Sequence, residues 1–342
     1  MSTNNVSNTN TPVFLENGDV QVPAFTLPPS VFISPQALAQ QKMRAQMGSN
    51  IGVDMEPDIH VRRNQLNEMM APRFAKLREE YPVTITEDVM GGVPVLIVEP
   101  ADGAFDPNVV LINLHGGAYN VGWDCCAHIE SIPMAVLGKF RIVSINYRMA
   151  PEFSHPAGVE DVASVYSHLL KTYVASHIGI YGGSAGGNLT AQAAAWLPAH
   201  GLPQAAAIGI FGAGAVPFGW GESAYVTGYT DGSFPPPPAD GSEPVDITRG
   251  YFAGSDMRDP SVSPGFHPKI LAQYPPTLIV TGTRAMDLSP AIYTHSALLK
   301  AGVSSQLIVG EGMGHCYYYA TNLPEAQDAY DMMIKFFREH LG

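Results

Sequence analysis

A glycine-rich stretch with a single serine constrains the fold more than any other part of the chain. An apolar run, His177–Tyr181, is followed by Gly-Gly-Ser-Ala-Gly-Gly and then by small residues from Asn188 to about Leu197. We interpret these segments as a strand, a tight turn and a helix. The turn contains G-x-S-x-G with Ser184 at its centre, the pattern of a strained turn that exposes a nucleophilic serine. An ordinary glycine-rich turn is the alternative, because the five-residue pattern is common.

The residue after this serine adds a second chemical element. Ala185 lies in the turn that leads into the predicted helix, so its backbone N–H is expected at a helix N-terminus. The unpaired N–H groups there carry partial positive charge and stabilise a developing oxyanion. The stretch therefore predicts both a nucleophile, Ser184, and one oxyanion donor, Ala185.

Apolar strands alternate with helices through most of the chain, which indicates a mostly parallel sheet covered by helices on both faces. The predicted strands are Val83–Val89, Val93–Val98, Val109–Leu114, Arg141–Asn146, His177–Tyr181, Ala206–Phe211, Thr277–Thr281 and Gln306–Val309. The predicted helices of this part, besides the one that follows the serine, are Ala127–Leu137, Gly158–Tyr173, Pro290–Ala301 and Ala326–Leu341.

The N-terminal part has a different pattern. We expect disorder at the tip and an extended arm to about residue 30, then a helix to about Met47 and a second over Ile59–Glu80 with a break at Pro72. We assign residues 1–85 to an arm and helical cap, and residues 86–342 to the catalytic domain. Residues 214–268, rich in Gly, Pro and aromatic residues, are predicted to form a lid-like insertion over the sheet, since long loops are usually functional or disordered.

Composition excludes several classes of function. The net charge of −13 is unsuited to nucleic acid or to an anionic membrane, both of which require basic surface. The three cysteines have neither disulfide nor metal-site spacing, and no cofactor is implied. The polar N-terminus has no apolar signal-peptide core, and no apolar run is long enough for a membrane span. A cytoplasmic protein is expected.

Two further loops supply candidates for the rest of the chemistry. Acyl transfer by serine needs a base that takes its proton and donors for the oxyanion. His315 follows the predicted strand Gln306–Val309 and is the predicted base. Gly116 and Gly117 follow Val109–Leu114, and their N–H groups are predicted oxyanion donors because no side chain shields them.

Several segments together resemble one known family. They are His115–Gly117, Gly182–Gly187, Glu311–His315, Tyr147–Glu152 with Pro156-Ala157 and Glu160-Asp161, and Tyr251-Phe252 with Asp259-Pro260 and Ser263-Pro264. This set resembles the hormone-sensitive-lipase-like esterases of the α/β-hydrolase fold, from about residue 85 to the end. The resemblance implies that fold, carboxylic-ester hydrolysis, and a cap built largely from the N-terminal helices.

The sequence departs from that family at three positions. The family's His-Gly-Gly-Gly ends here in Ala118, which we expect to reshape the pocket while catalysis is kept. The Asp often found before the serine is Gly183, a change we interpret as neutral. The acid that the family places before the Ala-Gly-Val turn falls on Ala285. Asp287, in the same loop, is therefore the predicted acid that orients His315, and a solvated or capping residue is the alternative.

These inferences predict a serine esterase for small to medium acyl chains, acting on a small-molecule ester through an acyl-enzyme on Ser184. An amidase, a peptidase or an acyltransferase with the same residues is the first alternative, and a non-catalytic ligand-binding relative is the second. The predicted pocket residues, for which core packing is an equal alternative, are Tyr119, Phe218, Trp220 and Tyr251. The resemblance makes a homodimer conceivable, although the sequence has no interface signal.

Overall fold

The computed structural model describes residues 11–47, 58–231, 234–238, 242 and 244–342. Its strands are β1 (Val13–Phe14), β2 (Val20–Gln21), β3 (Val83–Met90), β4 (Val93–Pro100), β5 (Val110–Leu114), β6 (Arg141–Ile145), β7 (Ile178–Gly183), β8 (Ala207–Phe211), β9 (Thr277–Gly282) and β10 (Ser305–Gly310). Its α-helices are α1 (Pro35–Met47), α2 (Ile59–Glu80), α3 (Cys126–Gly138), α4 (Ala157–Leu169), α5 (Ala185–Ala199), α6 (Glu222–Thr230), α7 (Pro268–Leu271), α8 (Leu288–Lys300) and α9 (Pro324–His340).

The central sheet has eight strands in the order β10-β9-β8-β7-β5-β6-β4-β3. Strand β4 runs antiparallel to both of its neighbours, and the pairs from β6 to β10 are parallel. The α/β-hydrolase fold predicted from the sequence is confirmed. Because β5, β7, β9 and β10 run in the same direction, the loops that follow them meet at one edge of the sheet.

The inner strands are buried on both faces, which explains their continuous apolar sequences. Every residue of β5 is buried. Successive side chains point to opposite faces of a strand, so Val110 and Ile112 pack into one apolar cluster while Leu111 packs into the other. Helices α4 and α5 cover the first face, and α3 and α9 cover the second.

The N-terminal helices are tied to the rest of the chain by polar contacts. Before α1, Ser34 donates to the Glu325 carboxylate through its N–H at 2.6 Å and its hydroxyl at 2.9 Å. Asp58 caps α2 by accepting from the His60 N–H at 2.8 Å. The helix continues through Pro72, so the break predicted there is wrong. The predicted disordered tip falls on residues 1–10, which lie outside the described residues.

The insertion contains one helix that the sequence did not predict, α6. The neighbouring residues 232–233, 239–241 and 243 lie outside the described part. The Ser223 hydroxyl donates to the Met286 carbonyl at 2.7 Å, which fixes α6 beside the loop that leads into α8. None of the helices in the described ranges is both long enough and apolar enough to cross a membrane.

Candidate active site

Ser184 lies on a strained turn between β7 and α5. Its φ is 55° and its ψ is −121°, a conformation that L-residues rarely adopt. Its backbone N–H donates to the Phe211 carbonyl at the end of β8, at 2.8 Å. Such strain costs about 1–3 kcal/mol, and it persists only when the surrounding structure holds it. The geometry lifts the serine side chain to the edge of the sheet at the start of a helix.

The glycines on both sides of Ser184 are required because β5 passes close to the turn. A Cβ on Gly186 would lie 1.7 Å from the Leu114 carbonyl oxygen, and one on Gly182 would lie 2.3 Å from the same atom. Both distances are far shorter than any van der Waals contact. The glycine pattern in the sequence thus reflects the close approach of two neighbouring strands.

Asp287 and His315 are in direct contact at the same edge. His315 Nδ1 lies 2.6 Å from Asp287 Oδ1, and the Thr281 hydroxyl donates to Asp287 Oδ2, also at 2.6 Å. The Asp287 side chain is completely buried and that of His315 is 10% exposed. The structure therefore places Asp287 where an acid can orient His315, and Ala285 is buried in the same loop.

Two opposing effects act on the pKa of His315. Burial lowers it, but the electrostatic influence of the neighbouring Cys316 and Asp287, with the hydrogen bonds to both, outweighs burial, so the pKa lies well above its ordinary range. Nε2 of His315 faces the Cys316 thiol at 3.6 Å. The hydrogen bonds among the described residues do not include one from Ser184 to this nitrogen. Catalytic hydrogen bonds are often long without substrate and shorten in the complex.

The base and the nucleophile nevertheless share neighbours. Gly212 follows Phe211, whose carbonyl accepts the Ser184 N–H. It lies against the His315 ring, since a Cβ on Gly212 would come within 3.2 Å of the ring's Cε1. The Phe218 ring contacts His315 at a centroid distance of 5.4 Å and lines the same cavity as Ser184. The loops after β7, β8 and β10 therefore converge around one site.

The loop after β5 corrects one predicted oxyanion donor. The Gly116 N–H donates to Glu130 Oε1 at 2.8 Å, so it is engaged within the protein. Within the described residues, the N–H groups of Gly117, Ala118 and Ala185 have no acceptor. Ala118 and Ala185 line the cavity with Ser184. The donor expected at Gly116 is thus better assigned to Ala118, two residues along the chain.

The conformation of this loop explains the shift. Gly117, Ala118 and Tyr119 all have positive φ, at 125°, 51° and 61°. Such a run turns the N–H groups away from their usual directions, which sequence spacing does not reveal. His115 supports the loop from below: it is buried, it stacks on Tyr147 at 4.4 Å, and burial lowers its pKa to about 4. His115 is therefore neutral and enclosed, and its role is to support the loop.

A cavity of about 320 Å³ opens in front of Ser184. Three of the predicted pocket residues, Tyr119, Phe218 and Trp220, line it. The others that line it are Ala118, Ser184, Ala185, Asn188, Ala213, Gly214, Val216, Pro217, Val245, Asp246, Ile247, Thr248, Phe252, Ala253, Met257, Val262 and Ser263. The insertion over residues 214–268 thus supplies most of the wall, and no described residue of α1 or α2 contributes to it.

The prediction for Tyr251 is wrong, because this side chain lies behind the pocket wall. Tyr251 stacks on Tyr119 at 4.4 Å, and its hydroxyl accepts from the Gly158 N–H at 2.8 Å. It is 1% exposed and belongs to the core. Its alternative interpretation, core packing, therefore holds. As to metals, the described ranges contain no group of three His, Cys, Asp or Glu side chains arranged to bind an ion.

Sequence reasoning missed Glu130, a buried carboxylate behind the site. It lies on α3 and is 2% exposed. Besides the Gly116 N–H, it accepts from the Gly183 N–H at 3.1 Å and from the Tyr319 hydroxyl. The available signal was a single acidic residue inside a helix whose neighbours, Ile129 and Ile132, are apolar. A charge at such a position needs a partner.

Comparison with known proteins gives consistent results. A family model described as alpha/beta hydrolase fold matches residues 111–319. The versiconal hemiacetal acetate esterase stcI of Emericella nidulans is 35% identical over 35% of this chain, and the match spans 41% of that protein. An acetyl-hydrolase of Streptomyces hygroscopicus is 28% identical over 68% of this chain and 76% of its own length.

Solved structures extend the similarity to nearly the whole chain. The crystal structure of an esterase, E25, superimposes with a TM-score of 0.80 at 29% identity, covering 94% of this chain and 99% of that one. An esterase from the bacterial hormone-sensitive lipase family gives a TM-score of 0.75 at 25% identity, covering 90% and 97%. The chain is thus similar to esterases in sequence and in fold.

Proposed function

The chain belongs to the α/β-hydrolase family, in its hormone-sensitive-lipase-like branch, and we propose that it hydrolyses carboxylic esters through an acyl-enzyme on Ser184. One observation carries the mechanism: the buried Asp287–His315 pair and the strained Ser184 lie at one edge of the sheet, at the same apolar cavity. Serine becomes a strong nucleophile when an oriented base accepts its proton.

The proposed reaction has two steps. His315 Nε2 takes the proton of Ser184 while the serine oxygen attacks the ester carbonyl, and Asp287 stabilises the imidazolium that forms. The N–H groups of Gly117, Ala118 and Ala185 stabilise the oxyanion. The proton then passes from His315 to the leaving alcohol. Water, deprotonated by His315, attacks the acyl-enzyme and releases the acid, which restores the free Ser184 hydroxyl.

The cavity supports substrates of small to medium size. Its volume of about 320 Å³ is at the lower end of small-molecule sites, which span about 300–1,000 Å³. Apolar and aromatic side chains from the insertion surround the serine. We expect short acyl chains to fit and long ones to be hindered by Phe218 and Trp220. A panel of p-nitrophenyl esters from acetate to palmitate, with matched p-nitroanilides, tests chain length and separates esterase from amidase activity.

The assignment of the nucleophile is tested by Ser184→Ala. We expect this variant to lose p-nitrophenyl butyrate hydrolysis by several orders of magnitude while its thermal unfolding stays close to wild type. Ser176→Ala is the matched control, since that exposed serine lies just before β7, at the opposite end of the strand from Ser184, and it should retain activity. Near wild-type hydrolysis by Ser184→Ala would contradict the proposal.

A chemical test separates the enzyme from a ligand-binding relative. A fluorophosphonate probe should label the wild type at one site, found by mass spectrometry on the peptide containing Ser184. A protein without an activated serine would not react. We further propose a cytoplasmic location, supported by the three free cysteines. Light scattering of the purified chain would decide between a monomer and the homodimer that the family resemblance suggested.

A further inference from the structure

The carboxylate of Glu130 stands where three loops of the site meet. Its Oε1 accepts from the Gly116 N–H at 2.8 Å and from the Tyr319 hydroxyl, and its Oε2 accepts from the Asn113 amide at 2.9 Å and the Gly183 N–H at 3.1 Å. Gly116 begins the oxyanion loop, Gly183 precedes the nucleophile, and Tyr319 lies four residues after the base. One side chain therefore bridges all three.

The space around this carboxylate is filled. A Cβ on Gly183 would lie 2.5 Å from the Tyr318 hydroxyl, 2.8 Å from that of Tyr319 and 3.0 Å from Glu130 Oε1. The residue that the family often uses before the serine, an aspartate, would have no room. Glu130 thus supplies a carboxylate from α3 to a region that Gly183 leaves without a side chain.

We propose that Glu130 is a positioning residue, whose ionised carboxylate holds the oxyanion loop in register with the nucleophile. This inference rests on the proposed ester hydrolysis. The physical reason is that the carboxylate offers acceptors to both backbones at once: Oε1 fixes Gly116, and Oε2 fixes Gly183. Oxyanion donors act through exact placement, and displacements of about 1 Å can cost about 100-fold in rate.

Protonation would break this arrangement. A carboxylate is acceptor-only, whereas the acid carries an O–H donor on one oxygen. Because all four groups around Glu130 donate to it, the proton must compete with one of them. Burial raises the pKa of Glu130 to about 7, although its hydrogen bonds act in the opposite direction. All four hydrogen bonds to the Glu130 carboxylate can therefore form above neutral pH, and protonation weakens the set below it.

The groups that face Glu130 do not supply a competing charge at neutral pH. They are Tyr147 after β6, Tyr181 on β7, Tyr318 and Tyr319 after His315, Tyr330 on α9, and Cys126 on α3. Burial raises the pKa of each tyrosine. The hydrogen bond to Cys125, with burial, raises that of Cys126. Within this cluster, Glu130 is the group whose pKa lies near 7.

The first test is Glu130→Gln, which keeps the shape and removes the charge. We expect kcat to fall about 100-fold with KM little changed, because the loss appears in the transition state. The affinity for a trifluoromethyl ketone, which forms a hemiketal on Ser184, should weaken by the same factor as kcat/KM. In the wild type, the ionisations of Glu130 and His315 both contribute to the fall of kcat at low pH. In Glu130→Gln this fall should become less steep.

The second test does not depend on the folding of that variant. Tyr319→Phe keeps the carboxylate and removes one hydrogen bond that lowers the pKa of Glu130, so the inflection should move to higher pH. Tyr330→Phe is the matched control: it removes a buried hydroxyl of the same cluster that has no partner in the described structure, and the profile should not move.

Two results would overturn the inference. One is a folded Glu130→Gln protein with the kcat and pH profile of the wild type. The other is an inflection in Tyr319→Phe that coincides with that of Tyr330→Phe. Both are distinct from failure of the proposed function itself, which would appear as hydrolysis that survives Ser184→Ala.

Discussion

Asp287 is placed to orient His315 from two residues beyond Ala285, the position to which the family resemblance assigned the acid. Its Oδ1 lies 2.6 Å from Nδ1, which keeps the proton on that nitrogen and leaves Nε2 free to act as a base. The second carboxylate oxygen is held by Thr281, so the acid cannot turn away. The fully buried Ala285 occupies core space in the same loop. A shift of two residues thus preserves the geometry with a different sequence.

Asp287→Asn should lower kcat by as much as about 10⁴, the scale of the corresponding change in serine proteases, because the wrong tautomer is favoured. The acid limb of kcat/KM should also move to lower pH, since the charge of Asp287 helps to raise the pKa of His315. Steady-state kinetics from pH 5 to 9 would measure both effects. Glu311→Gln, an exposed carboxylate four residues before His315, is the control with no expected change. Wild-type turnover in Asp287→Asn would mean that another group orients the base.

At the scale of elements, the loop after β5 stores backbone strain. Ala118 has a φ of 51°, a conformation that costs a non-glycine residue about 1–2 kcal/mol. Ala118→Gly should remove this cost but lose about 0.4–1 kcal/mol through the more flexible unfolded chain, so a net gain between about 0 and about 1.6 kcal/mol is expected. Its N–H group is unchanged, so activity should persist. Urea unfolding and butyrate hydrolysis would measure the two quantities.

Lys139→Gly is a matched control for this substitution. Lys139 has nearly the same φ, 49°, at the end of α3, away from the cavity. It should show the gain in stability without any change in kinetics. A stability gain in Lys139→Gly combined with a loss in Ala118→Gly would show that contacts of the alanine methyl outweigh the strain of the loop.

Helix α3 couples stability to pH through Glu130. The folded-state pKa is raised to about 7, so the protonated form favours folding. The stabilisation that comes from this raised pKa is fully present below the pKa of Glu130 in the unfolded chain, near 4.5. It is lost as pH rises through 7, and the free energy of unfolding falls by about 3 kcal/mol over that range. The unfolding free energy of wild type minus that of Glu130→Gln should therefore decrease between pH 5 and 8. Other titrating groups cancel in this difference, and a flat difference would contradict the raised pKa.

At the scale of the whole molecule, Arg63 joins the N-terminal part to the catalytic domain. From α2, its guanidinium pairs with Glu152 at 2.6 Å and donates to the carbonyls of Asn120 at 2.8 Å and Ala150 at 3.0 Å. The contact with Asn120 reaches the loop that provides the oxyanion donors. Helix α2 therefore supports the site from outside, although it does not line the cavity.

Arg63→Ala should lower the unfolding free energy by about 1–2 kcal/mol, a value reduced for the partial exposure of the ion pair. Arg63→Lys should recover only part of this, because an ammonium group cannot reproduce the planar fork. Lys76→Ala, an exposed change on the same helix, should leave stability unaffected. Guanidinium unfolding monitored by circular dichroism would rank the three. Equal stability of all three would show that α2 is held by other contacts.

Much of the architecture followed from local patterns. The buried strands were predicted by their apolar runs, and the turn at Ser184 by glycines that the neighbouring strand requires. His315 was predicted from its place after a late strand, and Asp287 from the family resemblance, which pointed to its loop. Helix α6 was missed because its sequence has little amphipathic periodicity, and its position depends on contacts with Met286 and Ser289 far along the chain.

The errors within the site have a common physical origin. Gly116 was predicted as a donor because it follows a strand and has no side chain, but the direction of an N–H depends on φ and on the acceptor that it meets. That acceptor, Glu130, is 14 residues away. Tyr251 was predicted to line the pocket, with core packing as an equal alternative, and its position behind Tyr119 is decided by tertiary packing. The direction of a backbone N–H and the depth at which a side chain is buried can be read only from the assembled fold.

The missing side chain at Gly183 has a consequence for the evolutionary routes open to this enzyme. Aspartate, common at this position in the family, would meet two tyrosine hydroxyls and a carboxylate within 3.0 Å. Gly183→Asp alone should therefore abolish activity, and the chain could accept the aspartate only after Tyr318, Tyr319 and Glu130 had changed. The packing around Gly183 therefore constrains the order in which substitutions at these four positions can occur.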